Sequence, residues 1–96
     1  MSTTPIKILT PDGKIHLDCV PDEEGLCLAA LQKLVGGYIE VVPLPGTRYL
    51  VLNAEGKILS LSPNPMATKL AHDAESICSD DYIAGTAILA PRKLFG

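Results

Sequence analysis

The residues best suited to binding chemistry stand around Pro63-Asn64-Pro65-Met66-Ala67-Thr68. Asn-Pro at this point predicts a helix start, which leaves free N–H groups and a partial positive charge that suit an anion. Asn64 can hydrogen-bond a base or ribose, and Thr68 lies one turn on. His72 extends that face with Thr68 and Glu75, at i−4 and i+3. Tyr38 or Tyr49 can stack on a base, and Arg48 can meet a phosphate. A plainer account exists for each. Capping alone explains Asn64 before Pro65, and a Thr68–His72–Glu75 stripe is the ordinary solvated face of a helix.

Other chemistries find less support. The three cysteines, Cys19, Cys27 and Cys78, form no CxxC pair and their number is odd. All three are expected on apolar faces, where a thiol is a small hydrophobe rather than a nucleophile. His16 and His72 are the only histidines, and no spacing supplies the four ligands of a zinc site. No metal and no cofactor is expected. Glu40 and Asp81 are carboxylates that nothing in the sequence brings together at the separation acid–base catalysis needs. With no nucleophile–base pair, the chain is not expected to be an enzyme.

Charge and composition narrow the partners. Eleven acidic and eight basic residues give a net charge of −3, and no basic cluster exceeds Arg92-Lys93. A nucleic-acid footprint is missing. Apolar residues make up 47% of the 96, enough for one modest core and too few residues for two. No stretch approaches a membrane span, and the first residues lack the charged and apolar regions of a signal peptide. The reading is one soluble cytoplasmic domain over residues 1–96, of a kind often completed by association with its own copies.

The elements that must position the candidate residues follow from local pattern. Ile6 to Leu9 and Lys14 to Val20 flank Pro11-Asp12-Gly13 and read as an N-terminal hairpin within residues 5–20. Ile15, Leu17 and Cys19 make its expected apolar face. Cys27, Ala30, Leu31, Leu34 and Val35 form the stripe of a first helix, stopped by Gly36. Strands are expected at Tyr38 to Val42, Arg48 to Asn53 and Ile58 to Leu61. The second helix starts at Asn64-Pro65, with Ala67, Leu70, Ala71, Ala74 and Cys78 or Ile77 facing inward, and ends at Ser79-Asp80-Asp81. Tyr82 to Leu89 closes the order ββαβββαβ. The fold expected is α+β, an antiparallel or mixed sheet with both helices on one face.

Four patterns together resemble a family of small, functionally uncharacterised proteins of phages, bacteria and mobile elements, a domain of unknown function. They are Leu31-Gln32 through Val35-Gly36-Gly37-Tyr38-Ile39-Glu40; Asn53-Ala54-Glu55-Gly56-Lys57; Pro63-Asn64 with Ala67-Thr68 and Leu70; and Asp81 with Ile83, Gly85 and Ala87. They span about residues 25–90. The resemblance implies a setting, the bacterial host cell, where small acidic proteins act against host defences. The expected function is to bind and sequester a nucleotide-like host signalling molecule, through Tyr38, Arg48, Tyr49, Asn64, Thr68 and His72. The alternative is a protein-interaction module that inhibits a host enzyme, such as a restriction or defence factor.

Overall fold

An interior strand buried on both faces sets the architecture. The computed structural model describes residues 2–95; Met1 and Gly96, which bound the expected domain, lie outside the described residues. Strands β1 (Thr3–Leu9), β2 (Ile15–Pro21), β3 (Ile39–Pro43), β4 (Arg48–Asn53) and β5 (Ala87–Pro91) form one sheet in the order β2-β1-β5-β4-β3. Every pairing is antiparallel. Helix α1 covers Glu24–Val35 and helix α2 covers Pro65–Asp73, and a 3₁₀ turn closes the described chain at Arg92–Phe95.

In β4, Val51 points to one face while Leu50 and Leu52 point to the other, and all three are buried. Register extends both rows across the sheet. Val51 stands opposite Ile88, and Ile88 opposite Ile8; Leu52 stands opposite Ala87, and Ala87 opposite Leu9. The first row packs with Cys27, Leu31 and Val35 of α1. The second packs with Ala67 and Ala71 of α2. The α+β antiparallel sheet is therefore as expected, but the helices cover opposite faces rather than one. A strand buried on both sides cannot alternate apolar with polar residues, because each face meets its own layer. Tyr49-Leu50-Val51-Leu52 is such an unbroken run.

A local signal places the C-terminal end of α1. Gly36 takes the left-handed conformation, φ 83°, and its N–H donates to the Gln32 carbonyl at 2.9 Å. A residue with a Cβ would be strained there. Asn53 then ties the helix to the sheet. Its Nδ2 donates to the Val35 carbonyl at 3.1 Å, and its Oδ1 accepts from the Glu55 N–H at 2.8 Å. A carbonyl that the helix leaves unpaired is thus satisfied from β4.

Several expectations need correction. Ile58 to Ser60 lies in turns, and Leu61 follows outside any strand. Helix α2 stops at Asp73, so Cys78 is exposed instead of lying on a buried stripe. Residues 81–86 run outside the strands up to β5, and their one sheet-like contact is a bridge between Pro63 and Ala84. On β2 the expected apolar face is open: Leu17 is 78% exposed, Ile15 56%, and Cys19 is exposed too. β2 is an edge strand, and α2 does not reach across the sheet to cover it.

Candidate functional site

The i, i+4, i+8 spacing of Asn64, Thr68 and His72 puts them on one side of α2, and that side faces the segment Asp81–Gly85. The Asn64 N–H donates to the Ile83 carbonyl at 2.8 Å. Its Nδ2 donates to the carbonyls of Leu9 and Gly85, each at 2.9 Å, while Oδ1 accepts from the Ala67 N–H at 3.1 Å. Thr68 Oγ1 accepts from the Ile83 N–H at 2.9 Å. His72 Nε2 lies 2.7 Å from the Asp81 carbonyl oxygen. A carbonyl only accepts, so Nε2 carries the proton in this contact. The three residues form a ladder that straps residues 81–85 onto the helix.

This ladder decides what the expected binding residues can do. Asn64 is fully buried and its side-chain amide is spent on backbone. It is a cap and a cross-link, and no ligand can reach it. Thr68 and His72 are half-buried and engaged with the strap. Tyr49 packs its ring on Phe95, centroids 5.4 Å apart and planes inclined at 59°. Arg48 is exposed, but adjacent residues of a strand face opposite ways, so it parts from Tyr49. Tyr38, 73% exposed, stands near the far end of β4, where its carbonyl accepts from the Ala54 N–H at 2.8 Å. The length of β4 is roughly 16 Å at about 3.3 Å per residue. The fold does not bring the six residues into one site.

What it does assemble lies at that far end, around the turn after β4. A cleft of about 240 Å³ opens there between Glu40, Val42 and Leu52 of the sheet, Lys57 and Ile58 of the turn, and Ile77, Asp81, Tyr82 and Ile83. Lys57 Nζ pairs with Asp81 Oδ1 and sits 5.0 Å from the centroid of the Tyr82 ring. The hydrogen bond from Lys57 holds the Asp81 carboxyl below the usual carboxylate range, helped by the Tyr82 N–H, which donates to Oδ1 at 2.8 Å. The same bond raises the Lys57 ammonium above its ordinary value. Gly56 makes this closure sterically feasible: a Cβ there would stand 2.6 Å from the Ala84 carbonyl oxygen.

Beyond the cleft, the turn presents Ile58 at 80% exposure and Leu59 at 54%. Tyr82 flanks one side of it, with Ile58 on the cleft wall. Tyr38 flanks the other, where it shares a smaller hollow with Leu59 and Glu55. None of Lys57, Ile58, Leu59 and Tyr82 stood out as binding residues in the sequence. Ile58-Leu59 has the composition of a strand, and only the turn makes it a projecting apolar pair. Among the described residues, no group of three or more His, Cys, Asp or Glu is placed to hold a metal ion, and no helix is long and apolar enough to cross a membrane.

The fold and this site define a small antiparallel α+β domain with a helix on each face and an apolar, aromatic-flanked turn at one end. The chain belongs to the family described as a domain of unknown function, DUF3846, whose model matches residues 4–93. No curated protein and no solved structure matches the chain.

Proposed function

We propose that the protein is a non-catalytic interaction module that engages a protein partner through the turn after β4. The carrying observation is the exposed pair Ile58-Leu59 set between Tyr38 and Tyr82. Apolar side chains held on a turn beside aromatic rings resemble the anchors that dominate protein interfaces. Glu40, Glu55, Lys57 and Asp81 supply a charged rim. The partner proposed is a host enzyme, such as a restriction or defence factor, met in the bacterial cytoplasm; the resemblance to phage and mobile-element proteins is what supports that choice. Capture from bacterial lysate tests this. A specific partner should bind the native chain and be lost with Ile58→Asp and Leu59→Asp together, at an unchanged thermal melt. A partner retained by that double variant removes the turn as the contact surface.

The second reading is sequestration of a nucleotide-like host signal. The observation that favours it is the cleft itself, where Lys57, paired with Asp81, stands beside the Tyr82 ring. At about 240 Å³ the cleft is smaller than the ligand pockets of about 300–1,000 Å³ typical of proteins, so it suits part of such a ligand. A thermal-shift screen with nucleotides, cyclic oligonucleotides and ADP-ribose derivatives tests it. A ligand at about a hundred times its dissociation constant stabilises the fold by roughly 2.7 kcal/mol. A shift that disappears in Lys57→Met supports this reading, and a flat response across the panel counts against it.

A further inference from the structure

The β2 edge is open, with Ile15, Leu17 and Cys19 on one face and His16 and Asp18 exposed on the other. Hydrogen bonds at both ends of the hairpin fix which backbone groups it leaves unpaired. Thr10 and Lys14 pair at the turn, and the Asp22 N–H donates to the Ser2 carbonyl at 3.0 Å. Bonded pairs alternate along an antiparallel ladder, so His16, Asp18 and Val20 turn their backbone groups toward β1. Ile15, Leu17 and Cys19 turn theirs outward. Native proteins protect such edges with proline, lysine, bulges or a covering element. In β2 these protections stand only at the ends, Lys14 just before the strand and Pro21 as its last residue, while Ile15 to Val20 carries neither and its most exposed apolar residue, Leu17, is at the centre.

We infer that β2 pairs antiparallel with β2 of a second copy, about a two-fold axis at Leu17, joining the two sheets edge to edge. In that register Leu17 stands opposite Leu17 of the second copy and Ile15 opposite Cys19, with both backbone bonds exchanged at each outward residue. On the other face His16 meets Asp18 of the second copy, and Asp18 meets its His16. These are non-hydrogen-bonded positions, where side chains approach most closely and an Asp18 carboxylate can accept from a His16 ring N–H. Asp18 Oδ1 now accepts from the Cys19 N–H at 2.7 Å. In the pair that donor passes to the Ile15 carbonyl of the second copy, which frees the carboxylate for histidine. β3, the other edge, also ends in proline but is shorter, five residues against seven, and lacks this self-complementary arrangement. Joining at β2 leaves the turn after β4 at each outer end of the double sheet, so this pairing is independent of the contact surface proposed above.

Analytical ultracentrifugation over a concentration series tests the pairing. The native chain should move from its monomer mass of 10.2 kDa to twice that value. Leu17→Pro should fold, because the N–H it removes makes no bond within the sheet, and should stay monomeric, because the pairing needs that N–H. His16→Glu and Asp18→Lys should each weaken the homodimer, and an equimolar mixture of the two should form a heterodimer, since the introduced glutamate and lysine then face each other while the native His16–Asp18 contact is kept at the other position. A native chain that remains at 10.2 kDa throughout overturns the inference. So does a folded Leu17→Pro that dimerises like the native chain, or a mixture that associates no better than its components. If Leu17→Pro does not fold, the exposed charge variants decide the matter alone.

Discussion

Asn64 Nδ2 donates to the carbonyl of Leu9 at 2.9 Å, joining the start of α2 to the end of β1 across 55 residues of chain. The second Nδ2 hydrogen goes to Gly85. One amide thus fixes the helix, the hairpin strand and the strap leading into β5. Because the residue is fully buried, water cannot replace what a substitution removes.

Asn64→Ala should therefore cost more than a helix cap. Losing a cap costs about 1 kcal/mol, and buried carbonyls left unpaired add about 1–3 kcal/mol, so a loss of about 3 kcal/mol is expected. Asn64→Asp can keep the contact to the Ala67 N–H but faces two carbonyls with acceptor oxygens, and should be worse than alanine. Urea denaturation measures both. An aspartate variant as stable as the native chain would show that capping is the residue's whole role.

Thr68→Val keeps the side-chain shape and removes the oxygen that accepts from the Ile83 N–H. The expected destabilisation is about 1–2 kcal/mol, with Thr68→Ser close to native. Amide exchange should show the loss at Ile83 first. Protection at Ile83 unchanged in the valine variant would mean that the strap is held without this bond.

Glycine-to-alanine changes should have opposite signs at two positions. At Gly56 the added methyl meets a backbone oxygen at 2.6 Å, and overpacking of this kind costs about 1–3 kcal/mol. At Gly25, in α1, the nearest atom is 3.8 Å away, and helix propensity should add about 0.5 kcal/mol. Thermal melts of both variants check the pair.

The Lys57–Asp81 pair predicts a bounded pH window. Asp81 has a depressed folded pKa, so its contribution is present above the unfolded value of about 3.9 and is lost as pH falls through the folded one. Lys57 has a raised folded pKa; its contribution is complete below about 10.4 and is lost as pH rises through the folded value. Both groups are substantially exposed, so the effect on the urea midpoint should be small. Native and Lys57→Met midpoints should differ by a constant amount between these limits and converge outside them.

Thiol chemistry should separate the cysteines. Burial, with the Asp22 charge nearby, pushes the Cys27 thiol up, and the neutral thiol is the less reactive form. Cys19 and Cys78 are exposed. A disulfide reagent at neutral pH should modify those two in the folded protein and Cys27 only after denaturant is added. Rapid modification of Cys27 in the folded state would contradict its buried placement.

Much of the local structure was legible in the sequence, because its causes are local. Pro11-Asp12-Gly13 makes the hairpin turn, the Cys27, Leu31 and Val35 stripe makes the buried side of α1, Gly36 ends it, and Asn64-Pro65 starts α2. Each depends on neighbours within a turn or two, where backbone sterics and side-chain periodicity act. The end of α2 was less legible, since Ala74 to Cys78 keep an apolar pattern after the helix has stopped at Asp73.

Strand order and the covering of faces belonged to the tertiary structure. Alternation shows that β2 has an apolar side, but only the order β2-β1-β5-β4-β3 makes it an edge. The unbroken apolar runs of β4 and β5 carry the one sequence signal that both faces are covered. Thr68 and His72 make the same point about the site. A polar helix stripe has the same pattern whether it faces water, a ligand or backbone, and Asp81–Gly85 reaches it only when the chain folds back. Helix periodicity is settled by neighbours in sequence, whereas the partner of each face is settled by segments tens of residues away.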